Sequence, residues 1–185
     1  MFDDVTLPKR SLEDLHDIVS EVSYIMRLAS AAEVSSAMEH DEDILESYLN
    51  YAYRLGVPVP KHIDSELFSL LNELGKLKAH FKMPRPLDIA AALGRDLPRV
   101  PQSRWGHAYS YPSGHALISR YLAHRLSQDP RVSEDQRLQL FNFANEIAIG
   151  RVQLGVHSLQ DIRESRRLAD SLFTPSHKFQ EVHTI

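Results

Sequence analysis

DSELFSLLNELGKLKAHFKMPRP, residues 64–86, decides how this chain folds. Leu67, Leu70, Leu71, Leu74 and Leu77 recur at steps of three and four residues, which puts them along one face of a helix and predicts that the face is buried. Asp64 stands where a cap would accept from the first turn. Pro84 and Pro86 stop the helix, so Lys78 comes near its end and Arg85 at its exit.

The same period extends in both directions. Ser11 with Asp14 reads as a capping box opening a first helix, with Leu15, Ile18, Val19, Val22, Ile25 and Met26 on one face. A second helix is predicted from about Asp43 to Leu55, ended by Gly56 and the connector Val57-Pro58-Val59-Pro60. A short helix follows the prolines over Leu87–Leu93, and Gly94 to Tyr111, with Pro98, Pro101 and Gly106, reads as a long loop of the kind that carries function. Further helices are expected over 115–127, from the Ser133 and Gln136 capping box to Gly150, and over 157–173, with Gly155 breaking the chain between the last two. Convincing alternating strands are missing, so the fold is predicted to be all-α, a single-domain helical bundle. Residues 1–60 read as a helical extension packed on the core, 61–173 as the core, and 174–185 as a frayed tail.

At 185 residues the chain can bury a core of its own, and no second domain is needed. A net charge of −4 offers no basic field for nucleic acid or an anionic membrane, so clustered cations are local devices on an acidic body. With no cysteine there are no disulfides and no thiolate metal sites. No apolar run approaches the length of a membrane span, and Met1-Phe2-Asp3-Asp4-Val5 does not resemble a leader. The expected compartment is therefore cytoplasmic, or periplasmic or secreted if a leader has been removed.

Three separated stretches carry the chemistry. Lys78 and Arg85 bring two cations to one end of a helix. Pro112-Ser113-Gly114-His115 opens an apolar helical run: proline suits the first-turn backbone, Ser113 offers a hydroxyl and a cap, and Gly114 allows an oxyanion close to the backbone, so backbone N–H groups and the helix dipole form a phosphate seat. His115 stands beside that seat as a proton donor. Arg151 adds a planar fork for paired oxygens, and His157 is followed four residues later by Asp161. On a helix that spacing sets a carboxylate beside an imidazole, fixing its tautomer and leaving the other nitrogen free as a nucleophile.

Segment by segment, these residues resemble the three-part signature of the type 2 phosphatidic acid phosphatase and vanadium haloperoxidase superfamily, most closely the bacterial class A non-specific acid phosphatases. Lys78 to Pro86 has the spacing of the first motif, Ser110-Tyr111-Pro112-Ser113-Gly114-His115 is similar to the second almost letter for letter, and Arg151 to Asp161 fits the third. One position departs: Gly150 stands where the family usually has serine before the arginine, removing a hydroxyl that helps hold the phosphate or its arginine. The resemblance covers residues 78–161. It implies a bundle of the acid phosphatase type and a metal-independent phosphatase of nucleotide, sugar or similar small monoesters, with neither metal nor cofactor, although phosphate or vanadate could occupy the site. His157 would be the nucleophile, Asp161 its orienting partner and His115 the proton donor. Lys78, Arg85, Ser113, Gly114 and Arg151 would bind the phosphoryl oxygens. Relatives of class A often assemble, so a homo-oligomer is compatible. The partner would be a small phosphorylated substrate, not a nucleic acid or a membrane.

Rival readings stay open at this level. One is a non-catalytic oxyanion-binding module, for which Gly150 is the hint; another is a vanadate-dependent haloperoxidase, whose chains are usually much longer. His40-Asp41 resembles part of a metal-dependent HD phosphohydrolase set, but His40 to Asp43 reads better as a solvated helix start. Trp105, His107, Tyr109 and Tyr111 are candidates for meeting the substrate's organic group, and His80 for lining the pocket. The remaining histidines, His16, His62, His124, His177 and His183, show no metal-ligand spacing.

Overall fold

The computed structural model describes residues 11–98 and 109–173. Trp105 and His107, most of the proposed loop and the proposed tail lie outside the described residues. Within them the chain forms helices and no strand, in the order α1 (Leu12–Leu28), α2 (Ala31–Glu42), α3 (Ile44–Arg54), α4 (Ile63–Phe81), α5 (Pro86–Ala92), α6 (Gly114–Ser127), α7 (Glu134–Gln153) and α8 (Leu159–Ser171). No described helix is long and apolar enough to cross a membrane.

Helix α6 is the hub because its apolar residues do not keep to one stripe. Ala116, Leu117, Leu122, Ala123 and Leu126 are all inaccessible to solvent, so neighbours must cover several of its faces. It packs against α7 and α8 most extensively and against α3 and α4 on its other side, while α2 lies on α7 and α1 crosses α5 and α7. Two apolar layers result. Tyr48 and Ala52 of α3, Leu70 and Leu74 of α4, Leu117 and Leu122 of α6, and Leu140 and Ile147 of α7 form the larger one. Val19 and Val22 of α1, Ile89 of α5, Ala116, Val152 and Ile162 form the second. Each fully buried Leu, Ile or Val contributes roughly 1.5–3 kcal/mol through removal from water. Residues before position 60 thus share the layers built by the rest of the chain.

The Ser11–Asp14 and Ser133–Gln136 capping boxes form as the sequence predicts. Three local departures have physical causes. Helix α4 starts one position before Asp64, with His62 as N-cap, so Asp64 complements the dipole from within the first turn instead of capping it. The buried face of α4 runs Ile63, Leu67, Leu70, Leu74, Leu77, whereas Leu71 is 48% exposed. Residues 31–42, where no helix was expected, form α2 through a Ser30–Glu33 capping box. Its apolar content is small, and Ala37 with Leu154 and Val156 makes a minor third cluster.

Candidate active site

Six chain segments converge on one cavity of about 480 Å³. Its polar end is lined by Lys78 from the end of α4, Arg85 at the N-cap of α5, Gly114 and His115 at the start of α6, Arg151 in the last turn of α7, His157 before α8, and Asp41 near the end of α2. The rest of its wall is mostly apolar: Ile44, Leu45, Leu67, Leu71, Leu74 and Ile118 with Gly75, joined by Asp43.

His157 is buried at 2% exposure, and its two ring nitrogens face different partners. Nε2 lies 2.8 Å from the Arg85 guanidinium, which is fixed by a second donation, 2.7 Å to the Val156 carbonyl. An arginine only donates, so Nε2 is the lone-pair nitrogen and the proton sits on Nδ1. Nδ1 faces Asp161 Oδ2 at 3.6 Å and Ser110 Oγ at 3.4 Å, while the Ser110 hydroxyl donates to Asp161 at 2.6 Å. Burial drives the imidazole well below its usual range, against the pull of Asp161 and with the push of Arg85. Burial works against ionisation of Asp161, but hydrogen bonds from His157, Ser110 and the Ser158 N–H overcome it and hold the carboxyl below the ordinary carboxylate range.

The His157–Asp161 pair forms, though not on a regular helix as the spacing implied. Ser158 is the N-cap of α8, His157 precedes it, and Asp161 is the acidic member of the capping box. Asp161 therefore closes the end of the helix and faces the imidazole at the same time. Ser110, quoted in the second motif but given no role from sequence, is the bridge that brings the two together. Its signal was its place in the motif, five residues before His115.

Arg85, 4% exposed, has its pKa lowered to about 10 by burial and by Arg151, and stays charged across the physiological range. Lys78 donates 2.6 Å to the Tyr109 carbonyl and 3.4 Å to that of Ser110. Burial, then Arg85, lowers its pKa to about 7. Below that pH the ammonium is available to an anion; above it the charge is lost. Sulfate, whose own charge is constant over pH 5–9, is accordingly expected to bind more weakly as pH rises through about 7. Calorimetry of wild type against Lys78→Met checks this, the variant being expected to show a flatter profile.

His115 is held neutral. Burial and then Arg151 push its pKa to about 3, opposed by Asp41. The proton donor expected at position 115 is thus without its proton: a buried imidazole beside a guanidinium loses it unless an anion arrives. Ser113 forms the cap that the sequence offered. Its hydroxyl accepts from the Ala116 N–H at 3.4 Å as the α6 cap, its own N–H donates to Ser165 Oγ at 2.8 Å, and it is absent from the cavity wall. Gly114 does line the cavity, and a Cβ there would come within 3.0 Å of Leu74, a second reason for glycine.

Asp41 was missed. The expectation of a solvated helix start at His40 to Asp43 fails, because Asp41 is 2% exposed, pairs with Arg151 NH1 at 2.5 Å and lies 3.9 Å from His115 Nε2. His40 turns away to meet the ring of Phe143, centroids 5.1 Å apart, so the two do not form a metal pair. Among the described residues no group of three or more His, Asp or Glu is placed to hold a metal ion. Of the aromatic candidates, Tyr109 and Tyr111 do not line the cavity: Tyr111 is in the core, edge-on to Phe81 at 5.1 Å, and Tyr109 is 44% exposed. His80 is exposed and packs against Phe81.

Compared with known proteins, the chain matches no family model and no curated protein.

Proposed function

We propose that this chain is a phosphatase that hydrolyses phosphate monoesters through a phosphohistidine, with a bundle of the class A acid phosphatase type. The observation that carries the reading is His157: a buried neutral imidazole with its proton held toward Asp161 and its lone pair beside Arg85, in one cavity with Lys78, Arg151 and His115. Such an imidazole has the form a nitrogen nucleophile needs.

In this reading Nε2 of His157 attacks phosphorus as the bond to the ester oxygen breaks, and the electron pair leaves with that oxygen. The guanidiniums of Arg85 and Arg151, the ammonium of Lys78 and the α6 N-terminus around Gly114 neutralise the transferring group's oxygens. The phosphoryl charge raises the proton affinity of His115, which takes up a proton and gives it to the departing oxygen. Water then attacks the phosphohistidine, His115 accepts its proton, phosphate leaves and the imidazole is restored. Asp161 stabilises the cationic ring throughout.

The apolar wall speaks to the ester's other half. Leu45, Leu67, Leu71 and Ile118 flank Gly75, and nothing lies within 4 Å of where a Gly75 side chain would begin. A glycine inside a helix costs about 1 kcal/mol relative to alanine, and here it leaves room for a ligand. An apolar organic group therefore fits better than a sugar. Across short n-alkyl phosphates, kcat/KM is expected to climb about fourfold per methylene, the equivalent of about 0.8 kcal/mol.

The test is phosphate release from an alkyl series, sugar phosphates, nucleotides and p-nitrophenyl phosphate at pH 5–8 with EDTA present. Activity that survives EDTA and rises with chain length is the expected result; phosphate bound without release from any ester would favour the second reading, an oxyanion-binding module. That reading draws on Gly150, which stands where the family usually has the serine that helps hold the phosphate or its arginine.

A further inference from the structure

The helix that supplies Asp41 reaches the cavity by lying on α7 at Gly150. Gly150 sits on α7 one position before Arg151, and a Cβ built there would stand 2.9 Å from the Cβ and 3.4 Å from the Cα of Ala37. A Cβ–Cβ separation of 2.9 Å is not tolerated, and the Cβ of Ala37 cannot give way without its backbone, so glycine lets α2 lie directly on α7. One turn beyond Ala37, Asp41 then meets Arg151, both side chains 2% exposed.

We propose that Asp41 is the anion seat's own occupant: a carboxylate held against Arg151 by the Gly150–Ala37 contact, with which any phosphoryl group must compete. A serine at position 150 would offer the incoming anion a donor. Glycine instead admits a helix that brings a competing acceptor.

The pairing has a physical reason and a consequence. Lys78, Arg85 and Arg151 bring three cations to one cavity, and Asp161, whose charge also reaches Lys78 and Arg85, offsets only part of them. Buried cations without an anion are costly, and Asp41 neutralises part of that excess. It therefore imposes the same penalty on every anion that enters, so weakly held ones such as acetate or chloride gain little occupancy while a phosphoryl dianion engaging three cations exceeds the threshold. Asp41 acts through Arg151; it is a positioning residue, not a catalytic one.

This assignment rests on the cavity receiving a phosphoryl oxyanion, and its test reads binding rather than turnover. Sulfate and inorganic phosphate are titrated by calorimetry into wild type, Asp41→Asn, Gly150→Ala and the double variant Gly150→Ala with Ala37→Gly, each checked for native helicity and cooperative melting. Asp41→Asn keeps the shape and removes the charge, and is expected to bind both anions about tenfold tighter or more. Gly150→Ala keeps the carboxylate and pushes α2 away, and is expected to tighten binding in the same direction. Adding Ala37→Gly should return affinity to the wild-type value. A residue that merely supported the fold would weaken binding on removal, so the sign of the change decides. Equal or weaker binding in Asp41→Asn, or no binding in any variant, overturns the proposal. Tighter binding in a protein that releases phosphate from no ester upholds the Asp41 assignment and sinks the phosphatase reading.

Discussion

His157→Asn is expected to cut turnover by a factor of about 10³ or more while inorganic phosphate still binds. Asparagine cannot form the covalent intermediate, yet the ring's loss leaves Lys78, Arg85 and Arg151 in the cavity wall, and in the proposed reading these supply the charge that holds the anion. Single-turnover quenching with a radiolabelled ester should trap an acid-labile phosphoprotein in wild type and none in the variant. Residual activity above about one tenth of wild type would remove His157 from the nucleophile's role. Loss of activity together with loss of phosphate binding would point to a damaged cavity instead, which is why the binding measurement accompanies the kinetics.

Asp161→Asn is expected to lower kcat by about 10³ to 10⁴ with little change in phosphate affinity. The side chains have the same shape, and the effect arises from proton placement. An amide can turn its NH₂ toward Nδ1 of His157, which forces the ring proton onto Nε2. That nitrogen faces the Arg85 guanidinium at 2.8 Å, so two donors would meet and the attacking lone pair would be gone. The carboxylate's charge, which hydrogen bonds from His157 and Ser110 maintain, would also no longer balance the ring once it becomes cationic. Proton-detected nitrogen spectra of His157 report the tautomer directly: Nδ1–H in wild type, and a mixture or Nε2–H in the variant. An unchanged tautomer with full activity would mean that Ser110 and Arg85 orient the ring without Asp161.

Local rules carried a large part of this structure. The leucine spacing from Leu67 to Leu77, the Ser11 and Ser133 capping boxes and the prolines after Lys78 each act within one or two turns, so they are readable along the chain, and the helices appear where these signals stand. Helix α2 lacked such a signal in hydrophobicity: its residues present few apolar side chains, and it is held by its cap and by packing on α7. Overlooking that helix concealed Asp41, because an aspartate beside a histidine in a polar stretch looks solvated until another element covers it. Leu71 shows the converse. It belongs to the apolar period of α4 yet turns toward the cavity, since a helix stripe can be wider than the neighbour that buries it.

By itself, the sequence determined the helical class, most helix ends and the residue types gathered in three motifs, because periodicity, capping and proline geometry are properties of neighbouring residues. Only the tertiary structure decided what those residues do to one another. The tautomer of His157 follows from an arginine 72 positions earlier in the chain, and the neutral state of His115 from burial and a guanidinium on α7. The anion paired with Arg151 comes from α2, 110 positions away (151 − 41), through a helix contact that only glycine at position 150 permits. Charge, burial and hydrogen-bond direction act through space, and for these groups the distances in space are set by how α2, α5, α6 and α7 pack.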